Sequence, residues 1–382
     1  MQALLEVADI LQIRNSELDS FCQNSWQLRT LHAIRKCRTA AMGGHIDHCD
    51  NPKCNKMHLS YNSCRNRHCP KCQGHKKEEW IQKRQNELLN VPYYHLVFTL
   101  PAELNQLALY QPKLLYRLLF ATAWSTVKTF AADPKYLGAQ SGMIAILHTW
   151  GQNLSLHPHL HCILPAGGIT KSQKWKQAKA KGKFLFPVKA MSKIFRARMV
   201  EQLRKQSDLD QSVYEKLFKS HWVIYAKRPF ASPKNVVEYL GRYTHKIAIS
   251  NHRIISIDKQ TVRFQLKDYR QGGKKIQITL SHQEFIRRFS QHILPKGFTR
   301  IRHYGILSST LKKKVLPKLQ ATVGSLKPDD KKPIMHRVCP FCKKGRLTTL
   351  ISFKGRAPPM ELIEQLMNNR FTCTELDKVS VN

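Results

Sequence analysis

The pattern of apolar and polar positions divides the chain into helix-rich, turn-rich and strand-rich stretches. Residues 1–36 carry a helical pattern, while residues 37–72 are turn-rich and hold six cysteines in 36 positions. A charged helix is expected over 75–90, ended by Val91-Pro92, because the residue before a proline is pushed out of the helical region. A strand follows at Tyr94-His95-Leu96-Val97-Phe98-Thr99-Leu100, stopped by Pro101, and helices fill 103–132. Met143–Trp150 and residues 157–165 read as a strand hairpin, with Gly167-Gly168 turning the chain beyond it. Lys171–Lys183 is a lysine-rich loop or hairpin, Lys189–Lys205 a basic helix and Trp222–Tyr225 a short strand. Ser232-Pro233 supplies a cap and a first-turn proline for a helix containing Glu238-Tyr239-Leu240-Gly241-Arg242-Tyr243. Strands are expected at Ile247–Ile257, Thr261–Lys267 and Lys275–Leu280, and a helix at His282–Phe289. Beyond about residue 311 the chain turns basic, with Lys312-Lys313-Lys314, Lys331-Lys332 and one Cys339-Pro340-Phe341-Cys342 knuckle. No internal repeat is present.

Composition narrows the class of partner. The 382 residues suffice for two or three domains, and an apolar share of 42% excludes general disorder. Lys and Arg total 64 against 25 Asp and Glu, a formal charge of +39. Such an excess repels itself unless a polyanion offsets it, which points to nucleic acid. A membrane is not expected as partner: there is no run of 18 apolar residues and no prominent basic amphipathic helix. The segment MQALLEVADILQIRN carries acids inside a helical pattern, unlike a signal peptide, so a cytoplasmic, nucleoid-associated protein is expected. In that compartment the eleven cysteines imply metal rather than disulfides.

Zinc takes four nitrogen or sulfur ligands, commonly from two tight loops. Cys49/Cys54 and Cys69/Cys72 are two such loops and are expected to form one closed structural site. Cys37, His45, Cys64 and His68 form a second site or orient the first. Cys339 and Cys342 are half a site, which Cys373 and His336 would complete with poor spacing. Cys22 and Cys162 read as core residues. Arg65, Arg67, Lys71 and Lys76, interleaved with the cysteines, suggest a module that grips phosphate.

The strand His157-Pro158-His159-Leu160-His161 places three histidines on one face, since alternate side chains of a strand point the same way. Neighbours on that face are roughly 7 Å apart and the outer pair roughly 13 Å. The ligand pair is therefore 157/159 or 159/161. A third ligand comes from His148 on the preceding strand, or from Gln152 or Glu238. An imidazole site with open positions accepts Mg²⁺ or Mn²⁺ when a substrate phosphate adds oxygen. Tyr239 and Tyr243, four apart, share one side of a helix. Aromatics so spaced are usually core, but this helix is polar around them, with Arg242, His245 and Lys246. With a pKa of about 10 only ~0.1% of a tyrosine is phenolate at neutral pH. It attacks phosphorus only beside an activated phosphate and nearby cations, which Arg242, Lys246 and His245 would supply.

These motifs resemble the HUH endonuclease-type, two-tyrosine transposases of bacterial rolling-circle insertion sequences, over most of the chain. Ser63-Cys64-Arg65-Asn66-Arg67-His68-Cys69-Pro70-Lys71-Cys72 is similar to their zinc-binding domain, and Phe98-Thr99-Leu100-Pro101 to the first nuclease motif. His159-Leu160-His161 matches the histidine–hydrophobe–histidine motif, which selects 159/161, and Tyr239 and Tyr243 match the paired tyrosines. Arg302-His303-Tyr304-Gly305 resembles a late family segment of no derivable role. The resemblance implies a helical and zinc-binding domain over 1–90, an HUH nuclease domain over 91–310 and a basic tail over 311–382. The implied fold is α+β, the nuclease being an antiparallel sheet flanked by helices, with the histidines on a central strand and the tyrosine helix beneath. The implied chemistry is metal-dependent cleavage and joining of single-stranded transposon ends and target DNA through a 5′-phosphotyrosine, with structural Zn²⁺ and catalytic Mg²⁺ or Mn²⁺. A replication initiator or relaxase would share that active site. A non-catalytic zinc-dependent nucleic-acid-binding protein would share only the charge and the cysteines. A zinc deaminase is discounted, because its His-x-Glu near Pro-Cys-x-x-Cys is missing.

Overall fold

A computed structural model describes residues 5–72, 86–178, 185–227, 235–236, 247–268, 271–325 and 337–355. The chain opens with helices α1 (Val7–Ile13) and α2 (Ser25–Arg35), then strands β1 (Gly44–Cys49) and β2 (Met57–Tyr61). The middle of the chain runs β3 (Tyr93–Thr99), α3 (Asn105–Tyr110), α4 (Pro112–Ala132), β4 (Gly142–Trp150), β5 (Leu156–Pro165), β6 (Gly167–Ile169), β7 (Trp175–Gln177), α5 (Val188–Gln206), α6 (Gln211–Lys219) and β8 (Ile224–Lys227). It closes with β9 (Ile254–Ile257), β10 (Thr261–Asp268), β11 (Lys274–Ser281), α7 (His282–Gln291), β12 (Ile301–Gly305), α8 (Ser309–Val323) and β13 (Leu347–Phe353).

The central sheet has the order β12-β4-β5-β3-β8, and each neighbouring pair is antiparallel. Its two faces follow from strand alternation. Tyr94, Leu96 and Phe98 of β3, Met143, Ala145 and Leu147 of β4, and Leu160, Cys162 and Leu164 of β5 point to one side. There they pack with Leu115, Leu119 and Ala123 of α4 and Phe195, Met199 and Leu203 of α5. Pro112 opens α4, where its missing N–H has no intrahelical partner to lose. The other face carries Tyr93, Ile144, Ile146 and Ile163, which cluster with Leu316 and Leu319 of α8 and with Val236. The histidines of β5 lie on this second face, on the middle strand of the sheet.

A second core joins distant segments. Val7, Ile10 and Leu11 of α1 and Leu31 and Ile34 of α2 pack with Val262 and Phe264 of β10 and Phe285, Ile286 and Phe289 of α7. Helix α7 is amphipathic because Phe285, Ile286 and Phe289 recur at helical spacing, and Ser281 caps it by accepting from the Glu284 N–H at 3.2 Å.

Most expected elements form, and the exceptions have local causes. Gly167-Gly168 does not turn the chain but continues as β6, paired with β7. A side chain at Gly168 would sit 2.6 Å from the Gln140 carbonyl oxygen, so glycine serves close strand approach. The lysine-rich segment is a hairpin at its start. The strand expected from Ile247 starts only at Ile254, because Asn251–Arg253 is a 3₁₀ turn held by Arg253 Nε donating to the Gln265 carbonyl, 2.7 Å. Within the basic segment after 311, the described residues pack on the rest of the chain: α8 packs on the central sheet, and β13 pairs with β1 in a sheet of order β13-β1-β2. Its apolar positions find burial on the two preceding units, and Lys312 pairs with Glu87 at 2.6 Å. Arg302-His303-Tyr304-Gly305 is β12, the edge of the central sheet beside β4, with Tyr304 stacked on Trp124 at 5.3 Å between ring centroids. Most of the helix expected over 75–90 and most of the tyrosine helix lie outside the described residues. No helix among the described residues is long and apolar enough to cross a membrane.

Leu160 lies fully buried between two histidines that face the other way, so the two sides of β5 can be tested separately. Leu160→Ala is expected to lower the unfolding free energy by about 2–5 kcal/mol in chemical denaturation, whereas His159→Ala changes it by less than about 1 kcal/mol.

Candidate metal centres and the histidine face

The β4–β5 register sets His148 directly opposite His159, and β5 alternation adds His161. One ligand nitrogen from each of His148, His159 and His161 lies within 4.8 Å of the others. Ring centroids are 5.4 Å apart for 148/159, 4.6 Å for 148/161 and 4.9 Å for 159/161. His157 falls outside this cluster, 5.1 Å in ring separation from His159, and burial lowers its pKa. Gln152 lies beyond β4, where its carbonyl accepts from Arg253. Glu238 lies outside the described residues.

Hydrogen bonds orient two of the three imidazoles. His159 Nδ1–H donates to the His157 carbonyl at 2.6 Å, which puts the lone pair on Nε2. His161 Nδ1 is 2.9 Å from Nε2 of His95, a residue 1% exposed on β3. With His161 Nδ1–H as the donor, His161 also presents Nε2 as the ligand nitrogen. His95 was not singled out from the sequence. Its signal was its place on the strand Tyr94–Leu100, whose pairing with β5 in the observed register brings it beside His161.

The cysteines sort differently from the expectation. Cys37, Cys64, Cys69 and Cys72 form one four-thiol cluster, and Cys49, Cys54, Cys339 and Cys342 form another. Cys49/Cys54 therefore do not join Cys69/Cys72, because β1 carries Cys49 toward β13 and the 339–342 knuckle. In the first cluster Cys37 and Cys72 Sγ are 3.4 Å apart and Cys64 and Cys72 Sγ 3.7 Å. These are too long for a disulfide of about 2.0 Å and near the roughly 3.8 Å edge of a tetrahedron with Zn–S of about 2.3 Å. Hydrogen bonds from the Cys64 and Cys69 thiols, together with the Cys64 N–H, lower the pKa of Cys37 from its ordinary value. All four positions are filled by sulfur, the mark of a structural rather than a catalytic zinc site.

His45 and His68 have other tasks than the one expected. His45 Nε2 is 3.3 Å from Asp47, and buried His68 accepts the Leu294 N–H at 3.3 Å. Cys162 is a core residue as expected, with burial pushing its thiol up, while Cys22 is half-buried at the edge of the second core. Arg67 and Lys71, expected at phosphate, are engaged within the protein. Arg67 donates to the carbonyls of Pro295 and Phe298, and Lys71 pairs with Glu6 at 2.5 Å and donates to the Cys37 carbonyl. They bind the cysteine module to the rest of the chain, and burial lowers the pKa of Arg67. Arg65 is exposed. Lys76, Arg242, Lys246, Tyr239 and Tyr243 lie outside the described residues, as do Cys373 and His336.

A mixed α+β architecture with a cysteine-rich zinc module and a histidine cluster on an antiparallel sheet defines the class. Comparison with known proteins supplies the family. Residues 12–100 match the family described as "Transposase zinc-binding domain", and residues 142–314 match "Putative transposase". The chain is 40% identical to "Putative transposase y4qJ" of Sinorhizobium fredii, over 87% of this chain and 91% of that protein. It is 30% identical to the "Transposase for insertion sequence element IS801" of Pseudomonas savastanoi pv. phaseolicola, over 77% of this chain and 73% of that one. No solved structure gave a significant match. The chain belongs to the IS91-type rolling-circle transposases with an N-terminal zinc-binding domain. Its substrate is DNA, and the first cysteine cluster lies wholly inside the zinc-binding match and has the four thiols that a structural zinc ion takes.

His292 ties α7 to the β4–β5 hairpin. Its Nε2–H donates to the Leu154 carbonyl at 3.0 Å, and Nδ1 accepts from the Thr149 hydroxyl at 3.2 Å, so the neutral ring is fully bonded. Burial pushes its pKa down from 6.5 to about 4. A folded value below the unfolded one means the stabilisation is complete above pH 6.5 and is lost as pH falls toward 4. Against a His292→Gln variant, the wild-type protein is expected to lose on the order of 3 kcal/mol more unfolding free energy between pH 7 and pH 4. A difference between the two proteins that does not vary with pH would show that the folded ring takes up the proton.

Proposed function

We propose that this transposase cuts and rejoins single-stranded DNA at its element ends through a 5′-phosphotyrosine intermediate, in rolling-circle transposition. The observation that carries this reading is the convergence of His148, His159 and His161 on one face of the central sheet. Three neutral imidazoles leave coordination positions open, a donor set that fits Mg²⁺ or Mn²⁺ completed by phosphate and water oxygens. Such an ion, when bound, polarises the scissile phosphate.

The chain's own residues do the rest. His95 and the His157 carbonyl fix the ligand rings. Tyr239 and Tyr243 are the nucleophiles. Val236 is buried in the cluster containing Ile146 and Ile163, on the histidine face, and Ile146 pairs with His161 across β4 and β5. Tyr239 lies three positions further on and Tyr243 seven, within roughly 11 and 25 Å of chain reach. The tyrosine oxygen bonds to phosphorus, and the bond to the 3′ oxygen breaks, releasing a 3′-OH that carries the proton. The phosphodiester energy is kept in the Tyr–O–P bond, and attack by a 3′-OH reverses the step. The second tyrosine holds or cuts another strand. Arg242 and Lys246 supply cations near the phosphate, and Arg65 supplies one from the zinc module. A DNA substrate places the protein's work in the cytoplasm at the nucleoid. A replication initiator or relaxase would use the same chemistry, but the zinc module and both transposase relatives favour transposition.

End-labelled single-stranded DNA bearing element ends, incubated with Mg²⁺ or Mn²⁺, is expected to give a covalent protein–DNA band on a denaturing gel. Tyr239→Phe with Tyr243→Phe abolishes the band. His159→Ala reduces its rate by about 10²–10⁴-fold, the equivalent of several kcal/mol of charge stabilisation, while DNA binding persists. A band surviving the double tyrosine variant would sink the proposal. His95→Ala is expected to weaken Mn²⁺ affinity by about 10–100-fold in a titration of the folded protein; unaltered affinity would show that His95 plays no part in orienting His161.

A further inference from the structure

The second cysteine cluster draws its four thiols from distant parts of the chain, Cys49 at the end of β1, Cys54 beyond it, and Cys339 and Cys342 ahead of β13. Cys49 and Cys342 Sγ are 3.7 Å apart, and Cys54 and Cys339 Sγ 3.8 Å. Both agree with the roughly 3.8 Å edge of a zinc–thiolate tetrahedron.

The surrounding backbone is shaped to the sulfurs. The Gly345 N–H donates to Cys342 Sγ at 3.3 Å. Asn51 Nδ2 also lies 3.8 Å from that sulfur. A Cβ on Gly345 would stand 2.4 Å from Cys49 Sγ, so only glycine lets the knuckle close on the β1 cysteine. The Cys339 N–H donates to the Gly345 carbonyl at 2.8 Å, closing the knuckle on itself. Asp50 and Arg346 exchange backbone contacts beside it, the Asp50 N–H to the Arg346 carbonyl at 3.0 Å and the Arg346 N–H to Asp50 Oδ1 at 2.7 Å.

Beside the cluster, buried Asp47 of β1 pairs with Arg337 and accepts from the Thr349 hydroxyl of β13, while the apolar contribution is small. The buried apolar side chains of this sheet are Ile46, Ile351 and Phe353, a core too small for independent stability. The zinc-binding match ends at residue 100 and the transposase match at 314, so neither spans both halves of the cluster.

We infer that Cys49, Cys54, Cys339 and Cys342 bind a second structural zinc ion, a clasp that locks the segment 337–355 onto the N-terminal module. The zinc-binding domain is therefore completed by the C-terminal part of the chain, which returns to it after the transposase domain. Four thiolates leave no open position, so the ion is structural, and its binding is coupled to the docking of β13 on β1.

The test is made on the full chain, washed with chelator to remove weakly held ions. Zinc and iron are measured by elemental analysis, and thiolate-bound zinc is released by mercurial titration. Wild-type protein is expected to release two zinc ions per chain. Cys339→Ser/Cys342→Ser and Cys49→Ser/Cys54→Ser are each expected to release one, and so is the variant carrying all four changes, because both pairs serve a single ion. Cys22→Ser/Cys162→Ser retains two. Zinc-edge X-ray absorption of the unmodified protein needs no variant and is expected to show a sulfur-only shell at about 2.3 Å for the thiolate-bound metal. One zinc in the wild-type protein, two in the Cys339/Cys342 variant, or iron in place of zinc would overturn the inference.

Discussion

The structure depends on the two-sidedness of β5. Leu160, Cys162 and Leu164 are buried under α4 and α5, and with a side-chain period of two the intervening His159 and His161 must face the other way. A slip of one residue against β4 or β3 would put imidazoles into the apolar layer and leucines into the histidine cluster. The core thus sets the register, and the register sets His148 opposite His159 and brings His95 to His161. The candidate metal centre is held by the packing on the far side of the strand that carries it.

The cysteine modules solve a different problem. The sheet β13-β1-β2 buries few apolar groups, and four thiols converge at its end, where a bound metal would take the place of a core. The first cluster is seated in a real core: Cys37 and Cys69 are buried with the residues of α1, α2 and α7. Arg67 and Lys71 then join this module to the loop at 295–298 and to the segment before α1. Cations interleaved with cysteines need not face a ligand; two of these instead satisfy carbonyls and a carboxylate inside the protein.

The 64 lysines and arginines are only partly offset by 25 acids, which leaves a net charge of +39. Several arginines lie over aromatic rings, Arg302 over Phe120 at 4.4 Å and Arg300 over Trp150 at 5.1 Å, which uses the planar guanidinium as packing surface. The remaining lysines and arginines repel one another until a polyanion binds. A DNA substrate thus accounts for a charge that the fold itself does not need.

Much of the local structure was legible in the sequence. The β4–β5 hairpin, the long helices around residues 112–132 and 188–206, and the histidine face follow from periodicity, because period and burial are local properties of a chain. The zinc chemistry was legible as well, since tight cysteine spacing is itself half a coordination site. What spacing could not reveal was which half-sites meet: Cys49/Cys54 lie nearer in sequence to Cys69/Cys72, yet strand pairing across the whole transposase domain gives them to Cys339/Cys342. The same holds for Gly167-Gly168, whose close approach to Gln140 looks in sequence like a turn. His95, likewise, acquires meaning only when β3 lies beside β5. The sequence by itself determined the residue types, the faces and the family; the tertiary structure decided the partners, because contacts between distant strands depend on the register of the assembled sheet and leave no local pattern in the chain.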